Sequence, residues 1–281
     1  MSTRITFLGK FRKFFDHILE EPVMISFLVL FTLSLVVIGI SMPLYFSETH
    51  DFLVNVLAEA HGMIFDIAVI GILIFWLNQV GQKKQRIRNY RDEIEDFRLW
   101  ESEEAAFRTV GNIKRLNRHK IYNIDLVNCY LVKTNLNYVI LQGANMNNAN
   151  VSNSFLIQTN LEGTRLNRTN FENSNLNQVN LKGAYASGAN FRDAYLIKAN
   201  LFKAYLIKTD FNNAFLMESD LRGANVTGAN FDLANLYKTD FRGAVGLTIQ
   251  QFQKVKTLYL AKFDTEFQVK LAKVYPDLMV K

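Results

Sequence analysis

Residues 199–225 read ANLFKAYLIKTDFNNAFLMESDLRGAN, with a hydrophobic residue at every fifth position: Leu201, Leu206, Phe211, Leu216 and Leu221. The register extends in both directions, from Ile121 to Phe241, twenty-five times without a polar interruption. A period of five fits neither regular element. On an α-helix a five-residue step advances about 500°, which scatters the apolar positions round the cylinder. On a flat strand an odd step flips the side chain to the opposite face each time. The chain must therefore turn once per repeat, so that each fifth residue points back to a common axis. Internal periodicity of this kind decides an architecture before any local reading.

Phe171, Phe191, Phe211 and Phe231 lie twenty residues apart in that register, while most other members are Leu. A ring that recurs every fourth repeat predicts four repeats per turn, each Phe stacked on the one below. Two residues before the apolar position, from Ala144 to Ala244, the slot holds only Ala, Ser, Thr and one Val, Val179. Small groups there can share a narrow interior with Leu or Phe. The position between is Asn or Asp sixteen times in the twenty-five repeats, as at Asn190, Asn200, Asp210 and Asp220. Short amides bond locally and tolerate unusual backbone angles, which suits corners.

The tandem Ala-Asn/Asp-Leu-X-X motif resembles the pentapeptide repeat family over about 121–245. The resemblance implies an all-β right-handed quadrilateral β-helix, a rod of about six coils and about 30 Å at the usual strand spacing. The residues after it, Leu247–Met279, resemble the helical cap that closes such rods. Phe252, Val255, Leu258 and Tyr259 are spaced there as on a helix. Solenoids need capped ends to cover core and unpaired strand edges.

The chain of 281 residues has a net charge of +6. Within 121–245, eleven Lys and Arg face nine Asp and Glu, so the rod is nearly neutral. The single cysteine, Cys129, occupies the small inward slot and reads as a buried apolar residue. One cysteine allows no disulfide framework and no zinc pattern.

Val23–Ile40 is an uncharged apolar stretch extendable to Phe46, preceded by Pro22, and Met63–Val80 is a second apolar stretch, in which only Asp66 is ionisable. Both approach the roughly twenty residues that span a bilayer. They predict an N-terminal α-helical transmembrane hairpin joined by Ser47–Gly62. A removable signal peptide is rejected, because the leading segment and the apolar run are too long and no small-residue cleavage site follows. Arg4, Lys10, Arg12 and Lys13 precede the first span, and Lys83, Lys84, Arg86, Arg88 and Arg91 follow the second. The connecting loop carries only Glu48, Asp51 and Glu59. Positive charge stays inside, so both termini are expected in the cytoplasm, with the chain in a bacterial inner membrane. Arg4–Leu19 reads as a basic amphipathic helix at the membrane surface.

The expected organisation is thus 1–81 for the interfacial helix and two spans (about 23–46 and 62–80) and 82–118 for a charged helical linker. The β-helix follows over 119–246 and the helical cap over 247–281. In the linker, Ile87, Tyr90, Ile94 and Phe97 recur at three-four spacing, which suits packing on a helix of the same chain or a coiled coil between protomers. Ser102, Glu103 and Glu104 mark a new helix start, and Gly111 is expected to interrupt that helix.

Stepping by twenty sorts the outward residues into faces. One carries Phe155 and Ile157, Tyr195 and Ile197, Phe215 and Met217, then Tyr237, interrupted by Asn175, Asn177 and Asn235. Exposed apolar stripes mark contact surfaces. Beside it run Gln158, Gln178, Lys198, Glu218 and Lys238, and the opposite face bears Tyr185, Tyr205 and Ile207. Asp66 is an intramembrane polar candidate. The four histidines, His17, His50, His61 and His119, are scattered, and neither a phosphate loop nor a metal-ligand cluster is found. No catalytic residue, cofactor or metal is expected.

The first functional expectation is a membrane-anchored, non-enzymatic scaffold whose rod presents a rigid side to a protein partner. Self-association through the hairpin, the linker helix or a β-helix face is open, and lipid is the other partner. The second is an oligomeric channel or stress effector that uses the rod as a platform. The third is a DNA mimic directed at gyrase, a role of some soluble members of the family. Imitating a phosphate backbone needs a strong acidic field, which a nearly neutral rod lacks, and a nucleic-acid partner is likewise not expected.

Overall fold

The computed structural model describes residues 22–44 and 51–280. The amphipathic segment Arg4–Leu19, His17 and His50 lie outside the described residues. The chain divides into two compact units, Met1–Gln85 and Arg86–Lys281.

The first unit holds helix α1, Pro22–Leu44, and the start of helix α2, Asp51–Asp96. Among the described residues, α2 is the one helix long and apolar enough to cross a membrane, and α1 contributes the shorter apolar run Leu30–Pro43. Residues 51–62 are helical, whereas the sequence placed them in a connecting loop. Leu57, Ala58, Glu59 and Ala60 are strong helix formers and no Pro or Gly interrupts them, so α2 starts a full three turns early.

In the second unit α2 continues to Asp96, and helix α3 spans Glu103–Arg118. The Ser102 hydroxyl accepts a hydrogen bond from the Ala105 N–H at 3.2 Å, with Glu103 and Glu104 in the first turn and Arg115 and Arg118 in the last. Cap and charges both complement the helix dipole. Gly111 does not interrupt α3. The helix is held instead by its apolar face, where Val110, Ile113 and Leu116 are buried in one cluster with Ile87, Tyr90 and Ile94 of α2 and with the start of the solenoid. The α2 stripe is therefore covered by its own chain, as the intrachain alternative expected.

From Asp125 onward the chain winds as a four-sided coil. Parallel bridges join residues twenty apart without a break, from Asp125↔Asn145 to Asn225↔Val245. Each side contributes a single bridge residue, so the all-β character rests on isolated bridges, with no longer strand among the described residues. Rungs such as Leu201 N–H to Asp220 O (2.8 Å) and Asp220 N–H to Ala199 O (3.0 Å) pair each coil with its neighbours. From Leu126 to Phe241 the inward register is buried, including Leu196, Leu201 and Leu216, and Ile121 before it is partly buried. Phe171, Phe191, Phe211 and Phe231 stack at 4.9, 5.2 and 5.4 Å between centroids. Hydroxyls in the small inward slot are satisfied by the apolar residue's carbonyl one coil back: Thr159 to Leu136 O and Thr239 to Leu216 O, both 2.8 Å. A buried hydroxyl is tolerated only with such a partner.

Most corners are turns of the form Leu201–Ala204, in which the Ala204 N–H donates to Leu201 O at 3.0 Å; the Thr134 and Ser154 N–H groups donate instead to the Ser154 and Ser174 hydroxyls one coil on. The left-handed residue is the third of the turn, two after the apolar position, for example Lys203 at φ +54°. That is the type II pattern. The Asn/Asp position supports the corner by the local side-chain bond expected of short amides, while the left-handed angle falls three residues on. Asn200 Oδ1 accepts the Phe202 N–H at 3.1 Å, and Asn190 Oδ1 the Arg192 N–H at 3.0 Å.

Side chains close both ends. Asn117 substitutes for an absent first coil, its Oδ1 accepting from the Ile140 N–H (2.7 Å) and its Nδ2 donating to Ile140 O (2.9 Å). At Gly246 the chain leaves the coil; a Cβ there would lie 2.0 Å from Thr227 Oγ1, and φ is +80°. A 3-10 turn follows, Ile249–Phe252, and Gln251 Nε2 donates to Val226 O (3.0 Å) and Ala229 O (2.9 Å). Phe252–Tyr259 is then not a helical cap. The coil resumes two residues late, with bridges Asn235↔Thr257 and Asp240↔Lys262, and Leu258 and Phe263 re-enter the core. Only Thr265–Val274 forms the capping helix, α4, followed by a 3-10 turn, Pro276–Met279. Asp264, just before α4, accepts the Gly243 N–H at 3.1 Å, in place of a further coil's carbonyl.

Removing the ring in Phe211→Ala is expected to cost about 3–5 kcal/mol by leaving a hole between two stacked rings; denaturant unfolding of the full chain measures it. Gly163 sits at φ +63° with open space where a Cβ would point. Gly163→Val therefore tests backbone strain alone, and a loss of about 1–2 kcal/mol is expected. At Asp220, hydrogen bonds from Arg222 hold the carboxyl below the usual aspartate range. At Asp240 burial pushes the other way, but the Arg242 side chain and N–H outweigh it. A depressed aspartate adds stability above its unfolded value, about pH 4, and loses it as pH falls through the folded value. The double variant Asp220→Asn, Asp240→Asn keeps the Oδ1 acceptor. Its acid-unfolding profile is expected to be flatter below about pH 4 than that of the natural chain.

Candidate interaction face

An aromatic residue at the bridge position loses the local Asn bond described above. On the face that carries Phe155 and Tyr195 the loss is made good from the coil before. Asn137 Oδ1 accepts the Ile157 N–H at 2.7 Å, and Asn177 Oδ1 the Ile197 N–H at 3.0 Å. The asparagines that interrupt the stripe are thus engaged by the backbone: Asn175 Oδ1 accepts the Asn177 N–H (3.2 Å) and Asn235 Oδ1 the Tyr237 N–H (3.1 Å). What they leave is an apolar pair, Phe155 and Ile157, and a continuous block nearer the C-terminus.

In that block Tyr195 stacks on Phe215 at 4.7 Å with the rings 2° apart. Tyr195 is 43% exposed and Phe155 51%, while Ile157, Ile197, Phe215, Met217 and Tyr237 are half-buried. All seven share one side of the rod, pointing away from the core. Sequence reasoning missed three further members. Tyr259 stacks on Tyr237 at 5.8 Å, and Leu233 and Leu260 are 49% and 48% exposed at the corners that bound the block. The signal was available: Leu258 and Phe263 lie five apart, so Tyr259 follows its apolar residue as Tyr237 follows Leu236.

Lysines frame the block. Lys238 Nζ lies 5.0 Å from the Tyr237 ring centre and Lys256 Nζ 5.4 Å from that of Phe215. Ring faces attract cations in this geometry. The Tyr237 hydroxyl holds the Lys238 ammonium above the usual lysine value. Along the bounding corner Gln158 donates to Gln178 at 2.7 Å, and Lys198 pairs with Glu218 at 3.7 Å. On the opposite side Tyr185 and Tyr205 stack at 4.8 Å.

The remaining candidates do not converge. Asp66 is exposed on α2 and does not line the cavity of about 230 Å³ between α1 and α2, whose walls include Ser34, Val37, His61 and Phe65. His61 Nδ1 lies 2.6 Å from Leu57 O of its own helix. Cys129 is buried, and burial pushes its thiol up to about 12, which leaves it protonated and inert. No group of metal-ligating side chains occurs among the described residues.

The model of the family described as pentapeptide repeats (8 copies) matches in overlapping segments, from 122–153 to 216–245. No curated protein matches the chain. Among solved structures, it is similar to HetL, a pentapeptide repeat protein involved in heterocyst differentiation regulation in the cyanobacterium Nostoc sp. strain PCC 7120. That match has 24% identity and a TM-score of 0.36, and covers 50% of this chain and 70% of HetL. A pentapeptide repeat protein of the Arabidopsis thaliana thylakoid lumen is 31% identical over 41% of this chain and 72% of its own, with a TM-score of 0.27. Rfr23 of the cyanobacterium Cyanothece 51142 is 20% identical over 55% of this chain and 98% of its own, with a TM-score of 0.31. The repeated five-residue motif, the coil of twenty and the family match agree: the solenoid of this chain is a right-handed quadrilateral β-helix, and through it the chain belongs to the pentapeptide repeat family.

Proposed function

We propose that the chain is a membrane-anchored, non-enzymatic interaction scaffold, whose rod offers the Tyr195–Tyr237 face to a protein partner in the cytoplasm. One observation carries the reading: a stacked, partly exposed aromatic block, framed by lysines, on a side chain array fixed by coil-to-coil hydrogen bonds. Because the backbone beneath is rigid, binding loses little ordering entropy. Aromatic anchors of this kind dominate interface energetics.

Support for the anchor comes from α1 and α2. Phe31, Met63, Phe65, Ile67 and Trp76 are each more than half exposed, an arrangement suited to lipid and costly in water. We read both helices as spans, with the basic flanks Arg4–Lys13 and Lys83–Arg91 on the cytoplasmic side of an inner membrane.

The double variant Tyr195→Lys, Phe215→Lys places two charges in the block without touching the core. Crosslinking from a photo-reactive residue at Ile197 is expected to fall at least about tenfold, equivalent to about 1.4 kcal/mol. Circular dichroism and thermal unfolding of the same variant are expected to match the natural chain. Undiminished crosslinking in the folded variant defeats the reading.

A further inference from the structure

Resting on the membrane-anchor reading, we propose that the basic end of the α2–α3 hairpin is a docking surface for anionic lipid headgroups. Its members are Arg86, Arg88 and Arg91 of α2 with Lys114, Arg118 and Lys120 at the end of α3.

Charge in the hairpin is sorted by position. Residues 83–91 carry five cations and no acid, and residues 111–122 carry Lys114, Arg115, Arg118 and Lys120 and no acid. The stretch 92–104 carries seven acids and one basic residue, Arg98. Each basic set alone has an ordinary reading. The first orients the spans, an effect confined to about 15–20 residues from a span end. Lys114 lies thirty-four residues past Val80, too far for that role. The second complements the dipole of α3, but α2 itself ends on Glu93, Glu95 and Asp96, the reverse of what its dipole favours. Neither reading explains why folding brings the two sets together.

The packing does bring them together. Tyr90 stacks on His119 at 6.3 Å, and the Arg115 guanidinium lies 5.7 Å from the Tyr90 ring centre. Ile87 and Tyr90 pack in one cluster with Leu116. Arg86, Arg88, Arg91, Lys114, Arg118 and Lys120 are all exposed, and none of them forms an ion pair among the described residues. The acidic end differs: Glu93 and Glu104 pair with Arg108, Glu95 with Arg98 and Glu103 with Lys133. Like charges one helical turn apart, Arg88 with Arg91 and Lys114 with Arg118, repel each other. Phosphates lying across them relieve that repulsion.

The tether selects lipid as the source of those phosphates. Arg86 is six residues past Val80, so even a fully extended chain separates it from the apolar run by only about 20 Å. The surface therefore stays beside the leaflet from which the chain emerges, at a high effective concentration of headgroups. None of its residues belongs to the aromatic face, so lipid and a protein partner can be held at once.

The test uses the full chain in vesicles of phosphatidylcholine, with or without about one-third phosphatidylglycerol to make the surface anionic. Both kinds hold a trace of phosphatidylcholine with a nitroxide on its headgroup. A fluorophore on Asn123→Cys, an exposed position just past Lys120, reports headgroup contact by quenching; Cys129 is buried and stays unlabelled. Quenching is expected to be at least about twofold stronger in the anionic vesicles and to fall to the neutral level as salt is raised. The variant Lys114→Gln, Arg118→Gln, Lys120→Gln leaves the residues that orient the spans untouched. It is expected to show the neutral level in both vesicles, with the circular dichroism of the natural chain. Equal quenching of the natural chain in both vesicles, or a variant quenched as strongly as the natural chain, overturns the proposal. Capture of a single-stranded oligonucleotide with no response to phosphatidylglycerol assigns the surface to nucleic acid and overturns it as well. Flotation separates this from the reading beneath it. A chain that floats with both vesicles but shows no anionic preference keeps the anchor and loses the docking surface; a chain that floats with neither loses both.

Discussion

Everything in the solenoid depends on one constraint: the backbone of each coil is satisfied only by the coils above and below it. Leu201 donates upward to Asp220, and Asp220 donates back to Ala199, and this exchange repeats on four sides at an offset of twenty. Once the offset is fixed, the inward column, the turn type and the position of the small slot follow. Where the exchange stops, a side chain must take over, because buried unpaired amides are costly. Asn117 does so before the first coil, Gln251 where the coil breaks, and Asp264 at the end. All three are polar residues whose identity the five-residue motif does not explain and the hydrogen-bond ladder does.

That dependence also separates what could be read from the sequence from what could not. The five-residue register and the four sides were legible because closing a coil constrains composition at fixed positions: Phe171 to Phe231 recur because one inward column is wide enough for stacked rings. The C-terminal boundary was misread because Phe252, Val255, Leu258 and Tyr259 fit helical spacing, while the resumed five-residue register shows only at Leu258 and Phe263. Two positions are too few to mark a register. The bridges to Thr257 and Lys262 decide between them. Gly111 was read as a break on propensity, a cost of about 1 kcal/mol that the packing of Ile113 and Leu116 overrides. The corner was legible in part: Asn bonds locally there as its chemistry suggests, but Asn both adopts and supports unusual turns, and the left-handed angle falls three residues on.

The candidate face was legible as a stripe and not as a block. Sequence stepping put Phe155, Tyr195 and Phe215 on one side but treated Asn175 and Asn177 as mere gaps. Asn177 completes the hydrogen bond that Tyr195 cannot, as Asn137 does for Phe155, since an aromatic side chain has no acceptor for the N–H two residues on; Asn175 holds the Asn177 N–H of its own coil. Aromatic residues at Phe155 and Tyr195 thus carry a local cost that an asparagine one coil earlier offsets, whereas Phe215 has Ile197 in that place. An apolar face that needs such compensation is harder to explain as drift than one that needs none.

A rod of near-identical coils has a difficulty as a recognition surface. Slipping a partner by one coil, about 4.8 Å, exchanges each contact for a similar one and leaves the binding energy little changed. Stacked rings supply affinity without register. Register has to come from features that occur once. Such features lie where the repeat begins and ends: the junction around Asp96 and Glu101 before the first coil and the lysines around Tyr237 and Tyr259 at the last. Opposite charge at non-repeating positions penalises every slipped arrangement while leaving the intended one paired, which is how electrostatics confers specificity more than strength. The regular part of the fold makes the surface stiff, and the irregular ends make it specific.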